Sequence, residues 1–238
     1  WTSVSETAEQ VASDRTFMKH AISLASKAIG RTAPNPPVGC VLVRDGHVIG
    51  EGFHRRAGTP HAERNALSDC SESPRGATAY VTLEPCNHFG RTPPCTDALI
   101  KAKVARVVVG TVDPNPRVAG SGVRRLRDAG IDVVVGVLQQ QCNQLVEPFS
   151  KHVLTGRPWV TLKIATTMDG KLATACGDSQ WITGPDARLD GHYLRNQVDA
   201  IAIGAGTLRG DNPRLTARLP DGDGRSPLRV VISTKLAL

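Results

Sequence analysis

The 238 residues are 40% hydrophobic and 21% charged, ordinary values for a soluble globule that exclude a disordered, collagen-like or disulfide-scaffold chain. No apolar run approaches the roughly 20 residues that a membrane-spanning helix needs. The net charge of +7 admits a nucleic acid or an anionic metabolite, but the arginines are scattered and aromatics for base stacking are only 4%; a phosphorylated small molecule fits better, and neither nucleic acid nor membrane is expected as a partner.

Residues 1–13 read as a polar tail without the basic start and apolar core of a secretory signal, which predicts a cytoplasmic protein with reduced cysteines. Trp1 in place of methionine reads as a trimmed start. Apolar residues at helical spacing predict a helix over 16–29, with Gly30 as its stop. Strands over 39–43 and 47–50 are joined by Asp45-Gly46, a dipeptide suited to a tight hairpin turn. An alternation then follows: helix 61–70, strand 77–83, helix 94–103, strand 105–110, helix 121–129, strand 131–137 and helix 139–151. This pattern predicts an α/β domain over 14–153 with helices on both faces of a sheet.

Gly156 and Pro158 mark residues 154–158 as a linker. A second α/β pattern occupies 159–238, with strand 159–164, helix 185–196 and strands 200–204 and 228–233. About 80 residues is short for an independent α/β domain, so this part reads as incomplete.

The chemistry concentrates in Pro60-His61-Ala62-Glu63, Glu84-Pro85-Cys86 and Cys95. One imidazole and two thiolates are the three protein ligands of a catalytic zinc that keeps its fourth position for water. Ligands at helix starts gain from the positive end of the helix dipole, which favours the thiolate. Glu63 lies two positions after His61, and only at a helix end can both side chains reach one centre; Pro60 suits such an end. The expected reaction is hydrolytic deamination of a pyrimidine, with Glu63 as proton carrier and not ligand. Taken singly, each residue has a plainer reading as a surface histidine or a buried small cysteine. A closed structural zinc site with His88 as fourth ligand is the other alternative.

The common zinc-deaminase signature places two residues between its cysteines, whereas eight separate Cys86 from Cys95 here. With Pro34-Asn35-Pro36-Pro37-Val38-Gly39-Cys40, Gly58-Thr59-Pro60-His61-Ala62-Glu63, the Thr82 to Cys95 stretch and Val112-Asp113-Pro114-Asn115-Pro116, the chain resembles the bifunctional riboflavin-biosynthesis deaminase/reductase family. The resemblance implies a cytidine-deaminase-like α/β/α domain acting on a phosphoribosylated diaminopyrimidinone. It implies substrate contacts at Asn35, His54, Arg91, Asp113 and Asn115, with Arg91 and His54 suited to a phosphate. Read as residues alone, Asn35, Asp113 and Asn115 are turn formers beside prolines.

Beyond the linker, Val160-Thr161-Leu162-Lys163, Met168-Asp169-Gly170-Lys171, Asp178 to Thr183 and Asp211 to Arg218 resemble the reductase part of the same family. That part is similar to dihydrofolate reductases and uses NADPH. The resemblance implies cofactor contacts at Ala165, Trp181, Thr207 and Asp211, and substrate contacts at Lys163, Ser179, Arg195, Leu215 and Arg218. The family's further strands, glycine-rich cofactor loop and acidic substrate contact are not matched by any later segment, so the expectation is a chain that deaminates but does not reduce by itself. A nucleic-acid-editing zinc deaminase and a non-catalytic zinc-stabilised interaction domain remain the competing readings. Whether the chain is a homo-oligomer stays open.

Overall fold

Thr7 opens the first helix by accepting the Gln10 N–H on its hydroxyl at 3.2 Å, an N-cap bond that satisfies one of the helix's orphan donors. This helix, α1, spans Ala8–Ser26 in the computed structural model, which describes residues 7–90, 93–116, 118–222 and 224–235. It therefore begins inside the stretch expected as a tail. The helix is tied to the sheet through Asp14, which is buried. Its carboxylate accepts two bonds from Arg106, at 2.7 and 2.8 Å, and one from the Tyr80 hydroxyl at 2.9 Å.

The chain continues through β1 (Gly39–Arg44), β2 (His47–Phe53), α2 (Ala62–Asp69), β3 (Thr78–Leu83) and α3 (Cys95–Ala102). Next come β4 (Arg106–Thr111), α4 (Ser121–Asp128), β5 (Asp132–Val135) and α5 (Gln139–Thr155). Asp45 and Gly46 both adopt positive φ, 52° and 79°, as the predicted hairpin turn requires. Helix α5 runs to Thr155, into the segment expected as a linker.

The five strands form one sheet in the order β2-β1-β3-β4-β5. β1 is antiparallel to β2 and β3, while β3, β4 and β5 run parallel. Alternate residues of each strand point to opposite faces, and the core divides accordingly. Leu42, Ala79, Val81, Val107 and Val109 pack with Ala62, Ala66, Leu99, Val123 and Leu126 of α2, α3 and α4. Val41, Val43, Tyr80 and Val108 pack with Met18, Ala21 and Leu24 of α1 and Cys142 of α5. The result is the expected three-layer α/β/α arrangement. Helix α2 lies close on β2, where a Cβ at Gly52 would lie 2.4 Å from the Ala66 nitrogen and 2.6 Å from the Ala62 oxygen.

The chain divides into two units, Trp1–Trp159 and Val160–Leu238. The second contains α6 (Pro185–Gln197), β6 (Ala200–Gly204), α7 (Ala205–Asp211) and β7 (Leu228–Ile232). β6 and β7 form a parallel pair in which Ile201 lies opposite Arg229 and Ile203 opposite Val231. The strand expected over 159–164 is irregular, with Val160, Leu162 and Ile164 exposed. Alternating apolar residues become a strand only when a neighbouring ladder takes their backbone groups, and no strand pairs with this segment among the described residues. Helix α7 was not anticipated from the sequence. All six cysteines are free thiols, and no helix among the described residues is long and apolar enough to cross a membrane.

Candidate active site

β2 leads through the loop 54–60 to His61, the N-cap residue of α2, whose backbone is still extended. Glu63 falls in the first turn of the same helix. The bend at the helix start lets both side chains serve one centre, as the two-residue spacing demanded. Asn65 secures the bend by donating from Nδ2 to the Phe53 carbonyl at 2.8 Å and the Pro60 carbonyl at 3.2 Å. Cys86 follows β3, and Cys95 is the first residue of α3. The Cys95 N–H, an orphan donor at a helix N-terminus, points at Cys86 Sγ from 3.3 Å.

His61 Nδ1 lies 3.6 Å from Cys86 Sγ and 3.4 Å from Cys95 Sγ. Bond lengths of 2.0–2.3 Å around a tetrahedral zinc place its ligand atoms roughly 3.5–3.8 Å apart, so the imidazole and two thiols already have the separations of such a site. Among the described residues the cluster comprises these three; His88 is exposed and stands outside it. A three-ligand set leaves room for water and argues against the closed structural site.

Electrostatics match the geometry. The Cys95 thiol and His61 stabilise the Cys86 thiolate and hold its pKa well below the usual thiol range, while the same contact and burial hold the Cys95 proton on. His61 is raised by its hydrogen bond to Cys86. Glu63 is buried among these groups, and desolvation together with the Cys86 charge pushes its carboxyl up to about 7. A carboxyl near neutrality both takes and releases protons readily.

His54 stands beside the cluster, its ring 5.1 Å from that of His61 in an edge-on arrangement. Both of its nitrogens are engaged, Nε2 with Asn35 Nδ2 at 3.1 Å and Nδ1 with the Pro60 carbonyl at 3.2 Å. This bonding makes Nδ1 the donor and Nε2 the acceptor, a neutral ring, and burial lowers its pKa. These two bonds engage both ring nitrogens and seat His54 behind Asn35 and the His61 loop. Arg91 lies outside the described residues. Asp113 and Asn115 are half-buried in the loop after β4, and the Asp113 carboxylate accepts the Asn115 N–H at 2.8 Å. Burial raises the Asp113 pKa, and the charges of Glu84 and Cys86 add to that rise, which puts this loop beside the cluster.

In the second unit Arg195, Leu215 and Arg218 gather around His192. His192 Nδ1 accepts from Arg195 Nη1 at 3.1 Å and from the Arg218 N–H at 3.2 Å, and Leu215 adjoins Thr216, whose carbonyl lies 3.1 Å from the same nitrogen. Thr207 and Asp211 sit four positions apart in α7 and share a helix face. Trp181 packs under the Arg188 guanidinium at 4.6 Å. Lys163, Ala165 and Ser179 lie in the irregular stretch before α6, with Ala165 half-buried and the other two exposed.

Residues 11–111 match the model of the cytidine and deoxycytidylate deaminase zinc-binding region, and residues 158–238 match that of the RibD C-terminal domain. Riboflavin biosynthesis protein RibD of Aquifex aeolicus is 49% identical over 94% of this chain and 62% of its own length. The Escherichia coli protein of the same name is 49% identical over 93% of this chain and 64% of its own. The crystal structure of a Thermotoga maritima diaminohydroxyphosphoribosylaminopyrimidine deaminase/5-amino-6-(5-phosphoribosylamino)uracil reductase superimposes with a TM-score of 0.88 at 50% identity, covering 94% of this chain and 64% of that one. The chain is thus similar to RibD proteins along more than nine tenths of its own length. It spans about 60% of the length of the curated RibD relatives it matches.

Three residues around this site were given no role from the sequence. Arg64 donates from Nη2 to the Pro93 carbonyl at 3.1 Å, tying α2 to the approach of α3. Asn87 accepts the Thr96 hydroxyl at 3.1 Å and donates to the Ser121 carbonyl at 3.4 Å. Glu84 is a buried carboxylate surrounded by backbone N–H groups. Each acts on main-chain atoms far away in sequence, which no short motif records.

Proposed function

We propose that the first unit hydrolyses a phosphoribosylated diaminopyrimidinone to the corresponding aminouracil and ammonia. The observation that carries this reading is the triangle of His61 Nδ1, Cys86 Sγ and Cys95 Sγ with Glu63 buried against it. His61, Cys86 and Cys95 would hold zinc, which when bound acidifies water and makes it a nucleophile near neutral pH. Glu63 takes a proton from the attacking water and delivers it to the departing nitrogen. Asn35, Asp113 and Asn115 supply the donors and acceptors that orient the heterocycle and ribose, and the guanidinium of Arg91 has the chemistry to bind the phosphate. The RibD relatives support this substrate class over a nucleic acid. Measured ammonia release from this substrate, with and without a chelator, tests the reading; no release by the zinc-loaded chain overturns it.

The match of 158–238 to the RibD C-terminal domain supports a second, NADPH-linked role for the second unit. Ala165, Trp181, Thr207 and Asp211 would contact the cofactor, and Lys163, Ser179, Arg195, Leu215 and Arg218 the deaminated product. The Arg195 guanidinium at His192 and the Arg218 guanidinium, whose charge acts on Arg195, provide positive charge suited to a phosphate. NADPH oxidation upon addition of the deaminated product to the 238-residue chain tests this assignment, and no oxidation counts against it.

A further inference from the structure

Glu84 stands two residues before the metal ligand Cys86, yet its side chain turns away from the cluster into a nest of main-chain donors. Oε2 accepts the N–H of Asp113 at 3.1 Å and of Gly120 at 2.9 Å. Oε1 accepts the N–H of Gly122 at 2.8 Å and of Val123 at 3.1 Å. One buried carboxylate thus anchors both ends of the loop 113–120 and the first turn of α4. A helix start favours negative charge, since its N–H groups lack intrahelical partners.

The packing is built for this contact. A Cβ at Gly122 would come within 2.1 Å of the Pro85 oxygen and 3.2 Å of Glu84 Oε1, so only glycine lets α4 approach the Glu84-Pro85 turn so closely. Asn87 makes a second tie between the same turn and α4 through the Ser121 carbonyl. The turn that delivers Cys86 and the loop that carries Asp113 and Asn115 are therefore fastened together by one side chain. Among the described residues, no cation is paired with the carboxylate, and its partners are all neutral N–H groups.

We infer that Glu84 is a positioning residue that sets the register of the substrate-recognition loop 113–120 against the zinc turn at Pro85-Cys86. The inference rests on the deaminase reading above. Glu84 touches neither the metal cluster nor, in this arrangement, the substrate; it acts through the backbone of Asp113. A carboxylate matches four donors, whereas an amide at the same place turns an NH2 group toward N–H groups and loses the charge. Each hydrogen bond to a charged group is worth about tenfold in an equilibrium. Substrate binding, which depends on where Asp113 and Asn115 stand, should suffer more than the proton transfers at Glu63.

The test is steady-state ammonia release by the zinc-loaded 238-residue chain and its Glu84→Gln variant, with zinc content and thermal melting recorded for both. KM should rise about tenfold or more in Glu84→Gln while kcat falls by a smaller factor and bound zinc stays at the unaltered level. Glu84→Asp, which keeps the charge but draws it back by one carbon, should show a smaller KM rise. An unchanged KM, or a loss confined to kcat, overturns the inference. Loss of zinc or of folding in both variants also overturns it, because the carboxylate would then serve the fold alone. Failure of the unaltered chain to release ammonia sinks the deaminase reading itself, and this inference with it.

Discussion

The Nδ1 of His61 and the Sγ of Cys95 face each other at 3.4 Å across the N-termini of two helices. The positive ends of α2 and α3 converge on a centre occupied by thiol groups, and each helix also fixes a second participant. α2 carries Glu63, and the first N–H of α3 holds Cys86 Sγ. His61, Cys95 and Glu63 are thus placed by helix starts and Cys86 is held against one, the parts of a helix whose backbone groups are free to act on a site.

Glu63→Gln should reduce ammonia release by about two to four orders of magnitude while leaving bound zinc and melting temperature near the unaltered values. Glu63 is buried beside the cluster but is not one of its ligands. Turnover retained within a few-fold would refute the proton-carrier role and favour a zinc-stabilised interaction domain.

Chelation, or replacement of Cys86 by alanine, should remove one zinc per chain and abolish ammonia release. Metal analysis paired with the activity assay reads both effects. Normal zinc content in Cys86→Ala would show that the triangle of His61, Cys86 and Cys95 is not the metal site.

Gly52→Ala should lower both stability and zinc retention. The new Cβ would fall 2.4 Å from the backbone nitrogen of Ala66, and the main chain of α2 cannot yield as a side chain does. Displacing α2 costs at least about 1–3 kcal/mol and carries His61 and Glu63 with it. Denaturant unfolding and metal titration would check this, and unchanged values would mean the helix is less firmly seated than its contacts show.

His54 should act on the heterocycle and not on the phosphate. Its ring is buried, neutral and bonded at both nitrogens to Asn35 and the Pro60 carbonyl. His54→Ala should weaken a phosphorylated substrate and its dephosphorylated analogue by the same factor, whereas Arg91→Ala should penalise the phosphorylated one selectively. A phosphate-selective loss in His54→Ala would restore the anion-binding role.

Asp14 supplies acid sensitivity. Burial alone would raise its pKa, but the bonds from Arg106, Gln10 and Tyr80 outweigh that effect and the net shift is downward. Because the folded pKa lies below the unfolded one, near 3.9, the contribution to stability is complete above about pH 4 and is lost as pH falls through the folded value. Asp14→Asn should flatten the acid limb of the stability curve and cost about 3–5 kcal/mol at pH 7, as breaking a buried pair does. Unfolding free energy measured between pH 3 and pH 7 would reveal it, and parallel curves for the two proteins would contradict it.

Sequence by itself determined most of the first unit. Helical and strand periods, the Asp45-Gly46 turn and the His61-Ala62-Glu63, Cys86 and Cys95 pattern are local regularities, set by backbone geometry and by the ligand preferences of zinc. Tertiary structure decided what depends on partners distant in the chain. Asp14 became an interior residue because Arg106 and Tyr80 meet it, and α1 begins earlier than its apolar pattern suggests. His54 became a neutral support because Asn35 and Pro60 occupy its two nitrogens. Glu84, silent in the sequence, proved to be the anchor of a loop some thirty residues away. Residues 159–164 show the converse, since their alternating pattern has no neighbouring strand to pair with among the described residues. A short motif reports the chemistry that a residue can perform, but a buried charge or an unpaired strand takes its role from whichever groups the fold brings to it.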